Sequence, residues 1–512
     1  MKILDCTIRD GGYYTNWDFD DDLVHTYIES LNQLPIDYLE VGYRSKPLKG
    51  YLGEYFYCPI YVLEKIRKLS NKKMAVIINE KDTQQKDIKD LLQPCVGIVD
   101  MVRIAVAPNN FKRSVLLATA IKELGFEVCF NIMYMSEWEK YPDLMKNLSL
   151  LNELADYLYM VDSFGGVFPN DVERIIKVIR KKVSIKLGFH GHNNLELGLI
   201  NTLTAIENGV EIVDATITGM GRGAGNLRME LLLTVLNSKG ALNVNYNALS
   251  NVVSRFEVLK DSYKWGTNLP YMVSGVSSLP QKNVMEWVSR RFYSLNSIIR
   301  ALENQKEKKK DNDKLPIFKP KTTYEKALII GGGENAKRFA EAAVNFIKAE
   351  KNICLIHASS KNAAIFQELD VPQYYCLVGN EGYRLEKAFT EMMSSFKGEC
   401  ILPPFPRKMG TYIPNILYER SYELESITFT DKLTDSHTVL ALQTAIALNV
   451  KQIWLAGYDG YGQNTITQLE RSLASENESL FNDYKNFTSK SLLSILPTEY
   501  KELEQKSVFE WL

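Results

Sequence analysis

Charge of one sign is what the sequence most plainly lacks. Its 61 basic residues face 62 acidic ones, for a formal net charge of −1. No basic excess points to nucleic acid, and there is no acidic tail. No uninterrupted apolar run approaches the roughly 20 residues that a membrane helix needs. The N-terminus, MKILDCTIRDGG, enters a strand-like run directly and carries no signal-peptide pattern. A cytoplasmic protein without nucleic-acid or membrane partners is therefore expected. The seven cysteines are scattered with no C-x-x-C pair, and several lie in apolar strand-like runs. Buried, reduced thiols are expected rather than disulfides. Histidine is scarcer still, at five residues, and no interval carries a solenoid repeat.

What is present is globular. With 45% hydrophobic and 24% charged residues over 512 positions, the chain is too long for one ordinary core and implies two to four domains. Two of the five histidines, His190 and His192, lie in the stretch IKLGFHGH (185–192). Side chains alternate along a strand, so this spacing aims both imidazoles the same way. The preceding run, apolar except for Lys186, reads as a buried parallel strand with the pair at its C-terminal end. Two converging imidazoles point to a metal site; two separately hydrogen-bonded loop histidines are the alternative.

Strand-like runs recur at 3–8, 38–42, 74–78, 99–105, 127–133, 157–161, 185–189 and 212–217, with helical 3–4 periodicity between most of them. Eight such units predict a (β/α)8 TIM barrel, with a doubly wound open sheet as the alternative. In a barrel the chemistry sits just beyond the strands' C-terminal ends. The polar residues there are Arg9, Asp10, Glu40, Arg44, Asn79, Asp162, Ser163, His190 and His192, with Arg103 and Asn131 inside strands. Charged and amide groups in apolar strands are costly unless paired, so their recurrence predicts one shared polar site. Asp10 with the histidine pair makes a mixed oxygen–nitrogen donor set suited to Mn, Co, Zn or Mg. Gly11–Gly12 permits a turn that brings Arg9 into the mouth as well.

Helices are expected around 231–236, 248–259 and 284–302. The composition then breaks at 303–323, ENQKEKKKDNDKLPIFKPKTT, which reads as a charged linker. The expected organisation is a barrel domain over 1–300, a linker over 301–322 and a smaller α/β, Rossmann-like domain over 323–512. That second domain opens with ALIIGGG (327–333), and further strands are expected at 353–357, 375–378 and 452–456. The GGGENA turn either presents backbone N–H groups to a phosphate or is a plain tight turn. Asp459 and His437 are candidates for a second site.

Five motifs, TIRDGG (7–12), LEVGYR (39–44), VDSFGG (161–166), GFHGHNN (188–194) and GMGRGAGN (219–226), occur in the order seen in the DRE-TIM metallolyases. Over about residues 1–290 the chain resembles this superfamily, and within it the 4-hydroxy-2-oxovalerate aldolases most of all. The resemblance implies Asp10, His190 and His192 as ligands of a divalent metal, Mn2+ or Mg2+ before Co2+ or Zn2+. Asn226 matches a position that is a ligand in some members. It further implies Arg9 as enolate stabiliser, Ser163 as a holder of the substrate carboxylate, and a small 2-oxo acid as substrate. In those aldolases a histidine two residues after the RDG glycine is the base; here that position is Tyr13, a phenol poorly suited to the task at neutral pH. Tyr13 then serves as acid or hydrogen-bond donor, with Tyr14, Glu40 or bound water as base, or the reaction differs.

The expected activity is a metal-dependent aldolase or lyase working through a pyruvate-type enolate. The alternatives are a Claisen-type synthase condensing acyl-CoA with a 2-oxo acid, and a non-catalytic barrel supporting the C-terminal domain. That domain loosely resembles 6-hydroxymethylpterin diphosphokinase-like domains, and no residue role is carried across. A homo-oligomer is left open.

Overall fold

The computed structural model describes residues 1–289, 293, 295–309, 314–379, 381–389, 396–407, 411–461 and 468–512. Its chain divides into two compact units, Met1–Glu286 and Trp287–Leu512.

In the first unit eight parallel strands close into a barrel. They are β1 (Lys2–Asp5), β2 (Tyr38–Tyr43), β3 (Lys73–Asn79), β4 (Met101–Val106), β5 (Glu127–Ile132), β6 (Tyr157–Asp162), β7 (Lys186–Gly191) and β8 (Ile212–Ala215). β8 closes on β1 with Leu4 opposite Asp214 and Asp5 opposite Ala215. The outward faces of the strands bury Val, Ile, Leu and Phe under the helices, for example Val102, Ile104, Val128 and Phe130, all fully buried. That is the packing a parallel sheet covered by crossover helices requires. Inside, Leu4, Tyr38, Ala75, Met101, Cys129, Tyr157, Tyr159 and Ile212 form a second cluster that plugs the barrel. Its N-terminal end is sealed by polar contacts: Lys2 Nζ donates to the Tyr157 hydroxyl at 3.0 Å, and the Tyr38 hydroxyl donates to Glu127 at 2.7 Å. All seven cysteines are buried and unpaired.

Two strand ends differ from the sequence reading. β1 stops at Asp5, and Thr7–Thr15, helix α1, takes over the TIRDGG motif. Asp5 turns inward and accepts hydrogen bonds from the Thr7 N–H (2.8 Å), the Thr7 hydroxyl (3.0 Å) and the Tyr27 hydroxyl, and so ends the strand. β8 likewise ends at Ala215, and Ile217–Gly219 forms a 3-10 turn with Thr218 at φ 54°. The helix expected over 284–302 divides into Gln281–Ser289 and Leu295–Lys306; residues 290–292 and 294 lie outside the described set. The second of these helices extends into the sequence break that opens at Glu303.

The second unit holds a parallel eight-stranded sheet, β9 (Lys326–Ile330), β10 (Ile353–His357), β11 (Gln373–Cys376), β12 (Glu399–Leu402), β13 (Ser421–Glu423), β14 (Gln452–Ala456), β15 (Leu492–Ser494) and β16 (Glu504–Gln505). Their order is β13-β12-β11-β10-β9-β14-β15-β16, so the winding reverses between β9 and β14. This is a doubly wound, Rossmann-like arrangement. Only β9, β10, β11 and β14 carry apolar runs that stand out in the sequence; the other four strands are two to four residues long. Among the described residues no helix is long and apolar enough to cross a membrane.

Candidate active site

Because α1 replaces the end of the first strand, Arg9 and Asp10 are consecutive residues of a buried helical turn rather than opposite faces of a strand. Both are nearly inaccessible, at 7% and 3% exposure. The Arg9 guanidinium pairs with Asp10 through Nη1 and donates from Nε to Glu40 Oε2 at 2.6 Å. Gly12 makes this possible, since a Cβ there would lie 2.1 Å from the Trp17 ring. Trp17 packs in that space and its indole N–H donates to the Arg9 carbonyl at 2.8 Å.

His190 lies near the end of β7 opposite Val161, and His192 follows just past it, bridged in antiparallel fashion to Asn226. Their ring centroids are 5.0 Å apart. Each imidazole is held by Nδ1, in His190 at 2.8 Å from Asp214 Oδ2 and in His192 at 2.7 Å from the Asp162 carbonyl oxygen. A ring whose Nδ1–H is so engaged keeps its Nε2 lone pair free, the orientation that metal-binding histidines adopt. His190 Nε2 is 3.6 Å from Asp10 Oδ2, which also accepts from Asn226 Nδ2 at 2.6 Å. Asn226 Oδ1 is buried and has no hydrogen-bond partner among the described residues. An orphaned acceptor beside a carboxylate and two aimed imidazoles fits a divalent cation.

The electrostatics agree. Burial pushes the His192 pKa down to about 4, so the ring is neutral. Burial alone would raise Asp10, but the adjacent Arg9 guanidinium outweighs it and holds the carboxyl below its usual range. A neutral imidazole and an ionised carboxylate are the forms that bind metal. Cys6, His190 and Asp214 also bring one ligand atom each within 4.8 Å of one another. That trio is the less suitable set: although Asp214 Oδ1 is buried without a partner among the described residues, its Oδ2 is committed to His190 and to Arg103 Nη2 at 2.6 Å, and burial drives the Cys6 thiol well up, keeping it protonated.

Arg103 is entirely buried, with its guanidinium 4.4 Å from the centre of the Tyr159 ring and Nη1 3.1 Å from Glu40. A continuous chain of buried charges thus runs Arg9–Glu40–Arg103–Asp214–His190. Burial by itself would raise Asp214, but Arg103 and the His190 hydrogen bond pull it down to about 2. Such a chain is stable only while each member keeps its partner.

The mouth encloses a cavity of about 140 Å3 lined by Arg9, Asp10, His190 and His192 on one side, with Tyr13, Tyr43, Asn79, Asn131, Ser163 and Arg222 among the rest. Ser163 Oγ accepts from the Tyr134 N–H at 2.9 Å and faces this space. The Tyr13 and Tyr43 hydroxyls are 3.2 Å apart.

Several residues expected here do other work. Arg44 turns to the backbone carbonyls of Tyr57, Cys58 and Leu91. The Asp162 carboxylate accepts from the Gly166 and Val167 N–H groups and braces the turn after β6. Neither supposed alternative base is available: the Tyr14 hydroxyl donates to the Gly223 carbonyl at 3.0 Å, and Glu40 is locked between two arginines. His25 sits in the helix Asp21–Asn32, paired with Glu29. Asp214 and Arg222 were missed. Asp214 is an acid inside the apolar run IVDA, the same signal that singled out Arg103, and Arg222 is the one charge in GMGRGAGN.

In the second unit a crevice of about 470 Å3 opens at the C-terminal ends of β9, β10 and β14. Two of the three glycine N–H groups are taken within the sheet, Gly331 donating to the Ala456 carbonyl and Gly333 to the Gly457 carbonyl, each at 2.8 Å. Asp459 Oδ2 accepts from the Asn335 N–H at 2.9 Å, and a Cβ on Gly333 would lie 2.5 Å from that carboxylate. Gly333, and Gly331, where a Cβ would lie 2.5 Å from the Gly457 carbonyl oxygen, are therefore packing requirements. His437 begins the helix His437–Ala447, its Nε2 3.4 Å from Glu381.

Comparison with known proteins covers the first unit. The HMGL-like family model matches residues 1–254. A 4-hydroxy-2-oxovalerate aldolase from Geobacillus thermodenitrificans is 31% identical over 250 residues, covering 46% of this chain and 70% of that protein. An oxaloacetate decarboxylase from Mycobacterium tuberculosis is 28% identical over 250 residues, covering 47% and 71%. Among solved structures, the N-terminal domain of a candidate aldolase from Bacteroides vulgatus is 55% identical, with a TM-score of 0.56, and covers 59% of this chain and 100% of that one. The resemblance first read from five short motifs extends through the barrel, and the chain belongs to the HMGL-like family of lyases.

Proposed function

We propose that the barrel is a divalent-metal-dependent aldolase that cleaves, or in reverse forms, the C3–C4 bond of a 4-hydroxy-2-oxo acid. The observation that carries this reading is the paired anchoring of His190 and His192 by Nδ1 beside Asp10 and the orphaned Asn226 Oδ1. Asp10, His190, His192 and Asn226 are the proposed ligands. When bound, a divalent ion such as Mn2+ or Mg2+ polarises the 2-oxo group as a Lewis acid.

The chain's own groups do the rest. Arg9, fixed by Asp10 and Glu40, keeps an Nη2 edge with no partner among the described residues and offers it to the developing enolate oxygen. Ser163, whose oxygen already accepts from the Tyr134 N–H, has its proton to donate to the substrate carboxylate. Tyr13 presents its hydroxyl to the C4 oxygen, with Tyr43 behind it. In cleavage the C4 hydroxyl passes its proton through the Tyr13 hydroxyl to water in the mouth and becomes an aldehyde carbonyl; the C3–C4 electron pair passes to C3, and a proton returned from water to C3 gives pyruvate. A volume of about 140 Å3, well below the roughly 300 Å3 at which drug-sized pockets begin, suits an acid of a few carbons.

The test is release of pyruvate from a panel of 4-hydroxy-2-oxo acids by full-length protein supplied with Mn2+ or Mg2+, followed by lactate dehydrogenase coupling. Pyruvate formation that is abolished by His192→Ala is expected. Failure to release pyruvate from any member, or equal release by His192→Ala, overturns the proposal.

A further inference from the structure

Arg222 is an unneutralised cation in the barrel mouth. The other arginines near the cavity are spoken for: Arg9 by Asp10 and Glu40, Arg103 by Glu40 and Asp214, Arg44 by three backbone carbonyls. The Arg222 side chain has no hydrogen bond or ion pair among the described residues, while its carbonyl accepts from the Gly225 N–H at 3.2 Å. It lies 5.2 Å from the centre of the Tyr13 ring and lines the same cavity as His190 and His192. The one carboxylate lining that cavity, Asp10, is already paired with Arg9.

Its backbone is held in place. On one side a Cβ at Gly221 would meet Asn226 at 2.6 Å; on the other, Gly223 has φ +65° and a Cβ there would lie 2.2 Å from Gln281 Oε1. The Gly223 carbonyl accepts from the Tyr14 hydroxyl at 3.0 Å, the Ala224 N–H donates to Gln281 Oε1 at 3.3 Å, and Gln281 Nε2 donates to Asn194 at 2.7 Å. The loop thus carries its cation at a fixed point beside the pocket. A guanidinium with no acid of its own, partly buried over an aromatic face, is arranged to receive an anion from outside the protein.

Resting on the aldolase reading of this cavity, we propose that the substrate is a diacid: beyond the 2-oxo acid end it carries a second anionic group, next to C4, that pairs with Arg222. The small volume favours a carboxylate. The aldehyde released in cleavage is then itself an acid, and Arg222 determines this specificity.

Two inert 4-deoxy analogues isolate the effect: 2-oxoglutarate, which has a carboxylate at its far end, and 2-oxopentanoate, which has a methyl group there. Calorimetric titration of the full-length protein with Mn2+ present is expected to give about ten- to hundredfold tighter binding of 2-oxoglutarate, the range for a hydrogen bond between charged groups. Arg222→Met is expected to bring that ratio close to one, and Arg222→Lys to restore part of it. Equal binding of both acids by the wild type, or an undiminished ratio in Arg222→Met, overturns the proposal. If the wild type discriminates and Arg222→Met does not, yet no member of the 4-hydroxy-2-oxo acid panel, 4-hydroxy-2-oxoglutarate included, yields pyruvate, the diacid site stands and the aldolase reading falls.

Discussion

Asp214 Oδ2 lies 2.8 Å from His190 Nδ1, and the same oxygen lies 2.6 Å from Arg103 Nη2. The proposed metal ligand on β7 is thereby oriented by an acid on β8, which is itself held by a cation on β4. Asp214→Asn keeps the size of the side chain but removes the charge that fixes the His190 tautomer. Losing such a supporting group costs about 10–100-fold in metal affinity. Manganese titration of chelator-stripped Asp214→Asn, compared with wild type, is expected to show that loss with the far-UV circular dichroism unchanged; equal affinities would mean Asp214 does not support the ligand.

Arg103 has a structural role that can be separated from chemistry. Arg103→Met leaves Glu40 and Asp214 buried without their shared cation, and breaking a buried pair in this way costs roughly 3–5 kcal/mol. Urea denaturation of the barrel's transition should shift by that amount. A shift below about 1 kcal/mol, the worth of an exposed pair, would show the network to be more hydrated than its burial implies.

Tyr13→Phe tests the proton-transfer role. Removing a group that moves a proton in the transition state lowers kcat by about 10²-fold or more. Metal content is expected to stay at the wild-type level, since Tyr13 is not among the proposed ligands. An unchanged kcat would assign the proton transfer elsewhere.

The second unit carries its own pH dependence. His357 is fully buried, stacked on Tyr375 with centroids 4.3 Å apart, and its Nε2 is 2.8 Å from Gln373 Oε1. Burial pushes its pKa down to about 4, against 6.5 for an ordinary histidine. Between those values the unfolded chain binds the proton and the folded one does not, so stability is fully present above pH 6.5 and is lost as the pH falls towards 4. From pH 7 to pH 5 the loss is roughly 2 kcal/mol. Thermal unfolding across that range should show it, and His357→Gln should flatten the dependence; an equally steep profile in the variant would locate the sensitivity in another group.

How far the sequence speaks for itself differs between the two units. The barrel was legible because its strands are buried apolar runs, most of them followed by a helix with 3–4 periodicity, and because polar residues inside such runs, Arg103 and Asn131, are too costly to be incidental. The chemistry of TIRDGG was legible, but its backbone was not. Nothing local announces that Asp5, by capping Thr7 and receiving Tyr27, ends the strand three residues early and turns Arg9 and Asp10 onto one helical turn. The same limit hid the role of Arg44, which is set by carbonyls 13 to 47 residues away. In the second unit the four missed strands are too short for any period to register, and the glycine run stayed open between a phosphate-binding turn and a plain tight turn because Asp459, which packs against it, comes more than 120 residues later.

The central claim is that Asp10, His190, His192 and Asn226 form one divalent-metal centre, and it is tested most directly by metal stoichiometry. Chelator-stripped, full-length protein titrated with MnCl2 and read by electron paramagnetic resonance of the free ion should bind one Mn2+ per chain. His190→Ala and His192→Ala, each checked for native circular dichroism, should lose that site. A wild type that binds no divalent ion, or folded variants that bind it as tightly as wild type, would contradict the account.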